Sequence, residues 1–280
     1  MRPTVRSRRL GAQLRDYREQ AQLDQTQVGG SIGIKQAHMS SIENGRTKLS
    51  AETLATLVDA LAIPAEVAAR MEDLRAHAHV PGWWQAYGDI LSEPIQALIE
   101  LEEDASWVRS FDGPVIPGLL QTRDYAERII TASVPHLRVG DIDRYLELRM
   151  RRQQRLVNGM RLTAIMSEAA LRQQVGGPEL LRKQLQHLTA AVREYDVTVQ
   201  IVPFTADAHA ALGDQFAIIQ WPLETDPEAV CVDGQTSWVV HERNREVRQY
   251  NYAFSSVQGR ALSPKDSIAL IGDLIKELPT

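Results

Sequence analysis

One cysteine in 280 residues, Cys231, rules out an internal disulfide and a cysteine-rich zinc site. A small buried hydrophobe is the reading left to it. No apolar run approaches the roughly 18 residues needed to span a bilayer, and the opening MRPTVRSRRL lacks the apolar stretch of a secretory leader. The chain is therefore expected in the cytoplasm, with no membrane partner. No Gly-x-Ser-x-Gly elbow, His-Glu-x-x-His pair or phosphate-binding glycine loop is present, and the glycines of VGGPE simply precede a helix with Pro178 near its first position. His77 and His79 sit on different faces of any helix and have no third ligand nearby. Neither an enzyme, a metal nor a cofactor is expected.

Hydrophobic residues make up 44% of the chain, and its length exceeds the usual single-domain range of about 100–200 residues, so two domains with separate cores are expected. The net charge of -5 conceals a division: residues 1–50 carry +5 and the remaining 230 carry -10. A basic end on an acidic body points to contact with a polyanion through the N-terminal part alone.

In that part, Leu10, Leu14, Tyr17 and Ala21 recur at helical spacing, predicting a first helix from about Arg8 to Ala21. Asp24 followed three residues later by Gln27 is a capping-box pattern and starts a second helix at Gln25. That helix contains Gly29 and Gly30, each costing on the order of 1 kcal/mol relative to alanine, which implies close packing against the third helix. The third helix runs from Lys35 to about Asn44, with Met39 and Ile42 inward, and Asn44-Gly45 closes it in a left-handed cap. Ser50 caps a further helix with an apolar stripe of Leu54, Leu57, Val58 and Leu61. Short helices joined by a glycine turn make a helix-turn-helix, whose second member enters the major groove.

Residues 10–63, from LGAQLRDYREQ through SSIENGRTK to LVDALAI, resemble the lambda-repressor-like helix-turn-helix of the Xre family. The resemblance implies that Gln25, Asn44, Arg46 and Lys48 hold DNA phosphates, which fixes register without reading sequence. It places Lys35, Gln36, His38, Ser40 and Ser41 toward base edges, where glutamine suits adenine N6/N7 and lysine suits guanine O6/N7. It also makes Arg18 and Glu43 a structural tie between the first helix and the recognition helix. Two positions depart from the pattern: Gly29 stands where alanine is usual, and Ala37 where a polar base-contacting residue is common.

Pro81-Gly82 marks a boundary, and Trp83-Trp84 comes next as either a clamp or a core anchor. Domains are expected at 1–75 and 93–280, with a linker at 76–92. Beyond it, an amphipathic helix is predicted from Glu93 to about Arg109, then a loop, a helix from Arg123, and a long helix over DIDRYLELRMRRQQRLV. Its Arg149, Arg151, Arg152 and Arg155 read as a solvated or salt-bridged face more readily than as a second nucleic-acid surface. LTAIMSEAAL, VTVQIVPF, QFAIIQW, AVCVD and SWVVH read as strands or strand starts, interspersed with helices. The fold class is mainly α, with an α+β C-terminal domain.

Residues 83–277 resemble the C-terminal domain of WhiJ-like actinomycete regulators, through PGLLQTRDYA, RRQQRLV, SEAALRQQVGGPELLRKQLQHL, VTVQIVPF and ALSPKDSIALI. The resemblance implies a nucleoid-associated transcription factor with an antitoxin-like C-terminal domain and a small protein partner encoded nearby. Three readings are open. The first is a homodimeric regulator of a palindromic operator. The second is a protein-interaction module using Trp83, Trp84, Pro117, Leu119 and Tyr125. The third is a small-molecule sensor.

Overall fold

The structure is a computed structural model and describes residues 3–133, 139–222, 227–234 and 238–279. These residues form two compact units, one ending at Trp83 and the other beginning at Trp84.

The first unit is five helices: α1 (Val5–Gln20), α2 (Gln25–Ser31), α3 (Gln36–Glu43), α4 (Ala51–Ala60) and α5 (Ala65–His77). The starts of α1, α2 and α4 fall where a side chain accepts otherwise orphaned N–H groups. Thr4 accepts from Ser7, and with Val5 wholly buried α1 begins three residues before the expected Arg8. Asp24 accepts from Thr26 and Gln27 while the Gln27 side chain takes the Asp24 N–H, the predicted capping box. Ser50 accepts from Thr53 at the head of α4. Leu10, Leu14, Val28, Met39, Ile42, Leu54, Leu57 and Met71 meet in one core, so the apolar positions of each helix face the same interior.

A single turn of 3-10 helix, Trp83–Tyr87, leads into the second unit. Residues 86–90, expected within a linker, are tied to a later helix: Arg144 pairs with Asp89 at 2.7 Å and donates to the Ala86 carbonyl at 3.0 Å. The unit's helices are α6 (Glu93–Glu103), α7 (Arg123–Ser133), α8 (Val139–Val157), α9 (Ala169–Arg172), α10 (Pro178–Glu194), α11 (Asn244–Gln258) and α12 (Pro264–Glu277). Its strands are β1 (Trp107–Asp112), β2 (Arg161–Ser167), β3 (Val197–Val202), β4 (Phe216–Gln220), β5 (Ala229–Asp233) and β6 (Trp238–His241). They form one mixed sheet in the order β3-β2-β1-β4-β5-β6. The pairs β1–β2 and β2–β3 are parallel, and the other three are antiparallel. This is the expected fold class, a helical N-terminal unit followed by an α+β unit.

Helix α11 covers one face of the sheet, packing Val247, Phe254 and Val257 against Phe111, Ile165, Ile218 and Val230. Side chains alternate along a strand, so Ser110 and Cys231 point to the opposite face. Cys231 is wholly buried there, and burial pushes its thiol well above its ordinary range, as befits an inert core residue.

One expectation about these elements needs correction. The helix predicted from Glu93 to Arg109 ends at Glu103, and Trp107–Asp112 is a strand in the interior of the sheet. Asp104 caps the helix C-terminus, and Val108 and Phe111 then bury on alternate faces. Of the two alternatives for the arginines of α8, a solvated or a salt-bridged face, the bonded one holds for the most part. Arg152 makes a two-pronged pair with Glu102 at 2.8 and 2.7 Å, Arg155 donates to the Glu102 and Ala105 carbonyls, and Arg149 donates to the Gln121 side chain. Only Arg151 of the four is exposed.

Candidate nucleic-acid interface

Helix α3 is held from below by its last residue. The Glu43 carboxylate is fully buried and accepts from Arg18 Nε at 2.6 Å, Arg18 Nη2 at 3.0 Å, Gln25 Nε2 at 2.9 Å and Arg15 Nε at 3.4 Å. Burial alone would raise its pKa. Hydrogen bonds from Arg18 and Gln25, with the charges of Arg18 and Arg15, outweigh that and hold it below the ordinary glutamate range. The hydrogen bond to Glu43 correspondingly raises the Arg18 guanidinium, which also donates to the Leu23 carbonyl at 2.9 Å. The sequence pattern anticipated the Arg18–Glu43 tie but not Arg15, which also donates to the Glu43 carbonyl and to Asn44 Oδ1.

Backbone contact reinforces this tie. A Cβ added at Gly11 of α1 would lie 2.5 Å from the Glu43 carbonyl oxygen and 2.6 Å from that of Ile42. Only glycine lets α1 lie this close to the end of α3. Gly11→Ala is expected to lower the stability of the helical unit by about 1–3 kcal/mol, because backbone rather than a pliable side chain must give way. Urea unfolding followed by circular dichroism checks this, and an unchanged midpoint would show that the helices separate without cost. Beyond α3, Gly45 has φ +65°, and the Gly45 and Arg46 N–H groups return to the Ile42 and Ser41 carbonyls, a Schellman closure at the predicted cap. A Cβ added at Gly29 would lie 2.7 Å from the Ile34 carbonyl oxygen, so the close approach expected of this glycine is to the turn before α3, whereas a Cβ at Gly30 would meet open space.

The outer face of α3 remains. Lys35, Gln36 and His38 are exposed, while Ser40 and Ser41 are half-buried. Lys35 is the N-cap and Gln36 the first helical residue. Gln36 Nε2 donates to Gln25 Oε1 at 2.6 Å, and Gln25 in turn donates to Glu43, so a chain of amides orients Gln36 from the core outward. This leaves Gln36 one amide proton and its carbonyl oxygen, the pair that a two-pronged contact with adenine uses. Ser41 Oγ donates to the Ala37 carbonyl at 3.0 Å and retains its acceptor capacity.

The residues expected on phosphates divide in two. Arg46 and Lys48 are exposed, and neither side chain has a hydrogen-bond or ion-pair partner among the described residues. Asn44 is exposed but committed, donating to the Ser40 carbonyl at 2.7 Å and accepting from Arg15. Gln25 is half-buried between Glu43 and Gln36.

The partner-surface candidates of the second unit do not form an exposed surface. Trp84, Pro117, Leu119 and Tyr125 are buried and Trp83 is half-buried. The reason lies in α8: Gln153 donates to the Gly118 and Gln121 carbonyls and Arg149 reaches Gln121, which pulls the segment inward.

Residues 9–71 match the model of a helix-turn-helix domain. Residues 95–273, more than half of the chain, match that of a domain of unknown function, DUF5753. The chain belongs to the DUF5753 family. No curated protein and no solved structure matches it. With its helix-turn-helix joined to the DUF5753 domain, the protein is a DNA-binding regulator, and among the described residues no helix is long and apolar enough to cross a membrane.

Proposed function

We propose that this DUF5753 protein is a sequence-specific transcriptional regulator of the WhiJ-like type, cytoplasmic and nucleoid-associated, which binds an inverted repeat as a homodimer through α3. The observation that carries the reading is the division of α3 into two faces. Met39, Ile42 and Glu43 are locked inward, while Lys35, Gln36 and His38 are presented together on the exposed side. In this reading Lys35, Gln36, His38, Ser40 and Ser41 meet base edges, and Gln25, Asn44, Arg46 and Lys48 meet phosphates. Two-fold symmetry then places the half-sites about one helical turn apart.

Selection of random duplexes on the full-length protein, followed by sequencing, is expected to enrich such a repeat. Gln36→Ala should relax preference at one position of each half-site. Lys48→Ala should weaken all sequences alike and reduce the salt slope by about 0.9 per protomer. An unenriched pool, or variants that leave both preference and salt slope untouched, would remove α3 from the interface.

The DUF5753 domain is far larger than dimerisation requires, which favours an antitoxin-like role in which it binds a small partner protein and modulates DNA binding. Co-expression with any small protein encoded beside the gene, followed by co-purification and titration onto the selected repeat, tests this part. A partner that neither co-purifies nor changes DNA affinity would leave the domain as a dimerisation body alone.

A further inference from the structure

The three parallel strands β1, β2 and β3 end side by side, and a cavity of about 460 Å³ opens beyond their carboxyl ends. Phe111, Ser167 and Val202, at or next to the last residue of each strand, form its floor, and residues 203–215 wall it in. In open sheets with parallel strands this is where ligands bind, and the volume falls within the range of small-molecule sites.

Its lining is unusual for a bare surface. Phe204 and Leu212 are 64% and 67% exposed while lining the cavity, so an occupant would take both side chains out of water. The polar groups are few. His209 stands edge-on to Phe111 with ring centroids 5.3 Å apart, and its Nδ1 accepts the Ala211 N–H at 3.3 Å. An accepting Nδ1 makes this the neutral tautomer that carries its proton on Nε2, and that N–H has no partner among the described residues. Burial, with the Arg260 charge, lowers the His209 pKa, which keeps the ring neutral. The charged side chains lining the cavity are Asp207, which lies 4.0 Å from the Arg260 guanidinium, and Asp214, which has no ion-pair partner among the described residues.

We propose that this cavity binds a small organic molecule, a ring-bearing, neutral or cationic compound with one hydrogen-bond acceptor. The ring covers Phe204 and Leu212 against Phe111, the acceptor takes the His209 Nε2–H, and the unpaired Asp214 disfavours anions. The site stands apart from the DNA-binding reading, and its test involves no DNA.

The probe is 6-propionyl-2-(dimethylamino)naphthalene, a neutral fluorophore with one carbonyl acceptor whose emission moves to the blue in apolar surroundings. With the full-length protein it should show saturable one-site binding. Phe204→Ala combined with Leu212→Ala should weaken that binding at least tenfold, and both positions are exposed enough to leave folding intact. His209→Phe, which keeps the ring contact with Phe111 and removes the N–H, should weaken it several-fold. The anionic 8-anilinonaphthalene-1-sulfonate should bind at least tenfold less tightly than the neutral probe. Absence of saturable binding, an affinity indifferent to both sets of substitutions, or equal binding of the anion would each overturn the proposal.

Discussion

Glu43→Ala is expected to destabilise the helical unit by roughly 3–5 kcal/mol, the cost of leaving a buried guanidinium without its counter-charge. Arg18 has a side chain only 10% exposed and donates to Glu43 through two nitrogens, which leaves its charge only the exposed Glu19 carboxylate at 3.3 Å. The loss should appear as backbone amide exchange in α1 and α3 accelerated by two to three orders of magnitude, with amides of the β-sheet unaffected. Arg18→Met combined with Glu43→Leu should recover most of that loss, because an apolar pair leaves no orphan charge. Equal exchange rates in wild type and Glu43→Ala would mean that Arg18 reaches solvent. The sign of the pH dependence comes from the depressed carboxyl. The pair's stabilisation is complete above the ordinary glutamate pKa and is lost as pH falls through the lower value in the folded state. Protection in α3 should therefore weaken on acidification, and in the Glu43→Ala variant that part of the dependence should vanish.

The second large effect is expected at Glu102→Ala in the DUF5753 domain. Glu102 is buried and holds Arg152 in a two-pronged pair, and Arg149 stands close by, its guanidinium pushed down to about 10 by burial and by the charge of Arg152. Without the Glu102 carboxylate, Arg149 and Arg152 repel each other with little water to screen them and only the charge of Asp233 to offset them. A loss of roughly 3–5 kcal/mol, or about 6–20 °C in Tm for a domain of this size, is expected. The emission of Trp107 and Trp221, both in this unit, reports the transition. Glu102→Ala with Arg152→Met should melt close to wild type. A single variant that melts within a degree or two of wild type would show that Arg152 finds another acceptor.

The helical unit was legible in the sequence because its determinants are local. The Asp24–Gln27 box, the Asn44-Gly45 closure and the inward Met39 and Ile42 all act within a few residues of one another. What escaped there was longer in range: Arg15 crosses from α1 to Glu43 and Asn44, and Gly11 touches a carbonyl 32 positions away, neither of which periodicity reveals. In the DUF5753 domain, β1 was hidden because Ala105 continues the helical stripe of Ile95, Leu98 and Ile99, and the polar Arg109 and Ser110 mask the strand alternation. Arg109 is at home there because it pairs with Glu228 at 2.6 Å, 119 residues away. The cavity was illegible for the same reason, since Phe111, Ser167, Val202 and the loop bearing His209 meet only once the sheet exists.

The position of β1 also bears on how the chain acquires its shape. Its parallel neighbour β2 is synthesised soon after it, but its antiparallel neighbour β4 is not: the Ser106 hydroxyl and the Gln220 carbonyl it reaches are separated by 114 residues. Until β4 leaves the ribosome, one whole side of β1 offers unpaired N–H and C=O groups beside the apolar Val108 and Phe111. A strand that ends up interior is thus an open edge for much of translation, the state in which edge-to-edge aggregation competes with folding. Slow, chaperone-sensitive maturation is the expected consequence of this topology, with β4 docking as the event that closes the risk.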